Sequence, residues 1–179
     1  MATSRGPEVG ELVPEGVALE DLASFTRQVA RQAGALAMVH FRKPHQVRYK
    51  GEDRRNPVTE ADEALEEYLA GAIKARYPHH AILAEESPER VSQESPFLWV
   101  IDPLDGTTNF VHSLPLFAVS VGLLYKGRPV TAAIFVPYPG REEGSLFHAS
   151  AGGGAFQDEE PLSVSPAPHP GAGDRKSVV

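Results

Sequence analysis

The stretch Trp99-Val-Ile-Asp-Pro-Leu-Asp-Gly-Thr-Thr-Asn-Phe110 ends a short apolar run in two acids, a sharp turn and a row of hydroxyls. Leu98 to Ile101 reads as a buried strand that Pro103 and Gly106 stop at once, which leaves Asp102 and Asp105 on a turn at the strand's carboxyl end. Two carboxylates on one tight turn converge on a single point, where their repulsion calls for a cation. The chemistry suggested is a magnesium site facing a phosphate. Asp-Pro and Asp-Gly are also ordinary turn dipeptides, and a solvated corner is the competing reading.

Two further acidic element ends weigh against an isolated corner. Ala81-Ile-Leu-Ala-Glu-Glu-Ser87 is a second apolar run closing in acids, and Asn56-Pro-Val-Thr-Glu-Ala-Asp62 is a third. Each has a structural alternative. Thr59 and Asp62 have the spacing of a helix capping box, Glu85 and Glu86 suit a solvated charge pair, and Thr107 and Thr108 suit a helix cap.

The order of these three motifs, Asn-Pro-Val-Thr-Glu-Ala-Asp, then Ala-Glu-Glu-Ser, then Trp-Val-Ile-Asp-Pro-Leu-Asp-Gly-Thr-Thr-Asn-Phe, resembles that of the inositol monophosphatase family of magnesium-dependent, lithium-sensitive phosphatases. The resemblance runs from about Leu19 to Val164. It implies two or three Mg2+ ions: Glu85, Asp102 and the carbonyl of Leu104 would hold one, and Asp102 and Asp105 would share a second. It further implies that Asp62 holds a metal-bound water and that Thr107, with Glu85, activates the attacking water. Gly106 and Thr107 would offer backbone N–H groups to the phosphate at a helix start. Lys50 resembles a lysine on a hairpin near the metals, with a lone surface lysine as the alternative.

Oxygen-only ligands suit magnesium, which keeps several of its waters, and a paired site activates water without a covalent intermediate. The expected reaction is hydrolysis of a phosphate monoester, with inositol monophosphate favoured because Thr108-Asn109-Phe110 looks more like the inositol phosphatases. Relatives acting on nucleotide bisphosphates, histidinol phosphate or fructose bisphosphate are the alternatives. Aspartyl-phosphate phosphatases fit less well, since their two acids are separated by one residue and here Pro103 and Leu104 both intervene. A regulatory protein on the same scaffold stays open, because fold alone does not fix activity.

Composition narrows the partners. With 17 basic and 24 acidic residues the formal charge is −7 and there is no basic stripe, so direct nucleic-acid binding is not expected. The expected partner is a small phosphate ester, which an anionic protein can bind where metal ions reverse the local field. Homodimers are common in the family. The chain has no cysteine, which excludes disulfides and thiol nucleophiles. No apolar run reaches the roughly 20 residues of a membrane helix, no signal sequence is evident, and a cytoplasmic location is expected.

A chain of 179 residues with 41% hydrophobic content suits one domain. Met1 to Ala18 reads as a flexible leader, 19–165 as the N-terminal region of the phosphatase-like domain, and 166–179 as a non-native or disordered tail. Helical spacing predicts a first helix over Leu19 to Phe41, and a second is predicted from Thr59 to about Tyr77, with Ala61, Leu65, Leu69, Ala72 and Ile73 inward. Gln46 to Lys50 reads as a hairpin arm. Strands are predicted at Ala81 to Ala84, Leu98 to Ile101, Ala118 to Tyr125, Val130 to Val136 and Ser145 to Ala149, with a hairpin at Lys126-Gly127 and a tight connection at Gly152 to Gly154. No metal-ligand spacing surrounds His40, and His79 and His80 are expected to be exposed. The pattern predicts an α/β (α+β) layered sandwich of helices and mostly antiparallel sheet.

Full-length members of the family continue into a second region with a Trp-Asp-x-Ala-Ala-Gly-like motif whose acid completes the second metal site. This sequence lacks that motif, its single tryptophan being Trp99. The chain is therefore expected to be a truncated fragment with an impaired second site and uncovered apolar surface, its last six residues, Asp174 to Val179, being what an adapter segment would encode.

Overall fold

The computed structural model describes residues 13–50, 56–85, 95–138 and 140–164. The loop Gly51 to Arg55, Glu86 and the tail beyond residue 164 lie outside these residues, as does the first part of the leader.

Helix α1 spans Leu19–His40, and its buried residues Leu22, Thr26, Val29, Ala30, Ala33 and Ala37 repeat every three or four positions, one face of a helix. Gly34 lies on that face because a Cβ there would stand 2.1 Å from the ring of Phe135. The core also takes in Val13, with Val17 packed against it, so part of the segment read as a leader is built into the fold.

The hairpin β1 (Val47–Lys50) and β2 (Asn56–Thr59) leads into helix α2, Glu60–Arg76. Thr59 caps α2 with both halves of a capping box: its hydroxyl accepts from the Ala61 amide, and its own amide donates to Asp62. The inward face is Ala61, Leu65, Leu69, Ala70 and Ile73, so Ala70 takes the place expected of Ala72, which is partly buried.

Seven strands form one sheet in sequence order, β3 (Ala81–Ala84), β4 (Phe97–Asp105), β5 (Ala118–Tyr125), β6 (Arg128–Tyr138), β7 (Arg141–Ser150), β8 (Gly154–Gln157) and β9 (Glu160–Pro161). Among the described strands of this sheet only β3 and β4 run parallel. This is the expected layered α+β architecture. Strands β6 and β7 are longer than their apolar runs, and β8 and β9 are additions that lack an apolar alternation of their own. Lys126 and Gly127 both have positive φ, as a two-residue hairpin turn requires.

Helices α1 and α2 cover one face of the sheet, where Trp99, Ile101, Val119, Val121, Leu123, Ala133 and Phe135 are buried. The alternate positions point the other way. Val100 and Ile134 are 38% and 40% exposed there. Among the described residues no helix is long and apolar enough to cross a membrane.

His80 departs from expectation. It is half-buried, stacked between Tyr77 and Phe97, and its Nδ1 accepts a hydrogen bond of 3.1 Å from Trp99 Nε1. Burial, followed by the neighbouring His79, pushes its pKa down. His79 is exposed as expected.

Candidate functional site

The candidate site forms where β3 and β4 end side by side. The parallel register pairs Ala84 with Ile101, so the next residues, Glu85 and Asp102, emerge together at the carboxyl edge of the sheet. Asp102 is half-buried and shares a hydrogen bond with Glu85. Its pKa is pushed up to about 7, by burial first, then by the Glu85 charge and that shared bond, then by Asp105, against the lowering effect of the Leu104 amide. Two carboxyl groups sharing a proton at such a spot hold more negative potential than the site can solvate.

Strand β4 does not stop at Pro103 as expected; it runs on to Asp105 with a bulge. Asp102 pairs with Ser120 and Asp105 with Ala118, so three steps along β4 match two along β5. Pro103 fits this irregular point because it has no N–H to give a ladder. In an even strand, residues three apart face opposite sides. Here consecutive burial of Pro103 and Leu104 marks the phase slip that returns Asp105 to the side of Leu98, Val100 and Asp102. The Leu104 amide donates to Asp102 Oδ1 at 3.2 Å, which fixes the acid against its own turn.

Gly106 then reverses the chain at φ 88° and opens helix α3, Thr107–Val111. A Cβ at Gly106 would stand 2.8 Å from the carbonyl oxygen of Leu116. The same carbonyl accepts from Asn109 Nδ2 at 2.8 Å, a brace that sequence reading did not assign to Asn109. With five residues α3 has little macrodipole, so an anion here would be held by individual N–H groups of the first turn.

Thr107 joins this turn to α2. Its hydroxyl lies 2.8 Å from Asp62 Oδ1 and 3.0 Å from the Leu104 carbonyl, and its single proton serves one of them at a time. Asp62 is 1% exposed, and its other oxygen accepts from both the amide and the hydroxyl of Thr59. The capping box read from Thr59 and Asp62 is formed, and the same carboxylate also accepts from Thr107. Glu85, Asp102 and Asp105 are neighbours by charge and register. Among the described residues, however, no three His, Asp or Glu side chains already stand as a cage for a metal. The side chain of Lys50 lies outside the described residues.

Residues 18–179 match the profile of the Inositol monophosphatase family. The chain belongs to this family. It is 44% identical over 147 residues to an inositol-1-monophosphatase of Synechocystis, covering 82% of this chain and 50% of that protein. It is 38% identical over 149 residues to the Nus factor SuhB of Pseudomonas aeruginosa, covering 82% of this chain and 54% of that one. The structure of the extragenic suppressor protein suhB from Bartonella henselae superposes with a TM-score of 0.74 at 32% identity, over 82% of this chain and 55% of that chain. The chain therefore spans about half the length of these inositol monophosphatase family relatives.

Proposed function

We propose that this chain carries the magnesium-binding half of a phosphoric monoester hydrolase acting on inositol monophosphate or a similar small polyol phosphate. The observation that carries the reading is the raised pKa of Asp102, held beside Glu85 by strand register and facing Asp105 across the bulge. Surplus carboxylate charge with an adjacent backbone carbonyl is a donor set that suits a hard divalent cation, with Glu85, Asp102, Asp105 and the Leu104 carbonyl as its holders. Bound magnesium would supply a water of lowered pKa and positive charge to offset the phosphate.

The chain's own groups have distinct tasks. Asp62 Oδ1 accepts the hydrogen bond of the Thr107 hydroxyl, which turns a lone pair of Oγ1 outward to accept a hydrogen bond from the attacking water. Glu85 completes that acceptor pair. The first-turn amides at Gly106 and Thr107 bind and orient the phosphate oxygens. No side chain forms a bond to phosphorus, and inversion by water is the expected course.

Magnesium titration by calorimetry tests the reading. Binding that Asp102→Asn and Asp105→Asn each weaken at least tenfold supports it, and wild-type heat indistinguishable from that of both variants overturns it. Phosphate release from inositol monophosphate, histidinol phosphate, fructose bisphosphate and a 3'(2'),5'-nucleotide bisphosphate then ranks the substrates. Turnover by the 179-residue chain alone should be slight. A second reading, a regulatory protein on this scaffold, is favoured by the name Nus factor of the Pseudomonas relative. A pure interaction module need not bind magnesium, so absence of binding in the same titration favours this reading.

A further inference from the structure

His45 stands where the chain leaves Pro44 for β1, with a side chain only 4% exposed. Among the described residues neither ring nitrogen has a hydrogen-bond partner. Burying an unpaired polar ring is unfavourable, and packing alone gives no reason for nitrogens at this place. What the ring touches supplies one.

On one side Nδ1 faces Glu60 Oε1 across 3.6 Å, beyond a hydrogen bond and well within electrostatic reach. The other oxygen of Glu60 accepts from the Gln46 amide at 3.0 Å. On the other side the imidazole packs on Phe110, with centroids 5.1 Å apart, and Phe110 in turn packs on Phe41 and Phe117. Glu60 is the first residue of α2, next to the capping Thr59 and two residues before Asp62. Phe110 lies in α3, one turn from Thr107. The ring is thus a wedge behind the two elements whose side chains meet in the Thr107 to Asp62 hydrogen bond.

We propose that His45 is a positioning residue: through Glu60 on α2 and Phe110 on α3 it sets the separation at which Asp62 holds Thr107. The catalytic meaning of that separation rests on the function proposed above, whereas the positioning itself does not.

The test reads the Thr59 amide, which donates to Asp62 Oδ2, by native-state hydrogen exchange in the 179-residue chain, with Val121 of β5 as an internal reference. His45→Phe keeps a ring on Phe110 and removes the nitrogens; Glu60→Gln removes the charge they face. If His45 positions α2 through Glu60, each variant speeds exchange at Thr59 roughly tenfold relative to Val121, the double variant adds nothing further, and His45→Gln restores most of the protection. Unchanged exchange at Thr59 in both single variants, or additive effects in the double, would overturn the proposal and leave His45 as filler. Should His45→Phe fail to fold, Glu60→Gln decides, since it alters a half-exposed side chain at the surface end of the contact. Absence of magnesium binding would count against the proposed function and leave this result standing.

Discussion

The carboxyl groups of Glu85 and Asp102 share a hydrogen bond because parallel pairing of β3 and β4 brings the residues after Ala84 and Ile101 to the sheet edge together. A long stretch of sequence separates the two acids, and only the sheet makes them neighbours. Without a cation that closeness is unfavourable, and this has a measurable sign.

Folding raises Asp102 from 3.8 to about 7, so between those values the folded chain keeps a proton that the unfolded chain has released. Stability of the metal-free chain should therefore fall as pH rises through this window. Thermal denaturation from pH 4.5 to 8 should show Tm declining, by roughly 2–4 °C for each kcal/mol of repulsion. Asp102→Asn should flatten the profile, and Mg2+ should restore stability at pH 8 in the wild type alone.

His80 has the opposite dependence. Its lowered pKa means that the folded chain resists protonation, so this contribution is fully present above 6.5 and is lost as pH falls through the folded value. Protonation also removes the Nδ1 acceptor from Trp99 Nε1. His80→Asn, which keeps a neutral acceptor, should lower stability by about 1 kcal/mol through loss of the stack and weaken the acid dependence between pH 5 and 7. Urea unfolding at both pH values reads both effects.

Gly106→Ala should cost about 2 kcal/mol or more, combining a left-handed backbone unsuited to alanine with a Cβ set against the Leu116 carbonyl. Because the same turn carries Thr107, magnesium-dependent phosphate binding should weaken alongside stability. Calorimetry with inorganic phosphate and Mg2+ measures the second effect.

The sheet face opposite α1 and α2 should drive self-association. Val100→Thr with Ile134→Thr keeps β-branched side chains while reducing exposed apolar area. Sedimentation velocity should show a smaller associated fraction for the double variant at equal concentration.

Some of this was legible in the residues themselves. Apolar spacing placed α1 and α2, Thr59 with Asp62 announced a capping box, and Lys126-Gly127 announced a hairpin, because each is a local interaction within a few positions. The ordered acidic motifs likewise pointed to the family. The bulge was not legible, since a one-residue slip in β4 exists only relative to β5, and Pro103 looked like a stop when it is an accommodated irregularity. Nor was the burial of His80 or His45, whose surroundings come from Phe97, Trp99, Glu60 and Phe110 across the fold.

The sequence by itself determined where carboxylates end the apolar runs, where the helices begin, and which alternate positions are apolar, because those depend on chemical type and short-range geometry. Tertiary structure alone decided that Glu85 meets Asp102, that Asp105 turns to their side, and that Asp62 reaches Thr107. Strand register and helix docking set those distances, and both are fixed by the packing of the whole core around Trp99, Phe110 and Phe135.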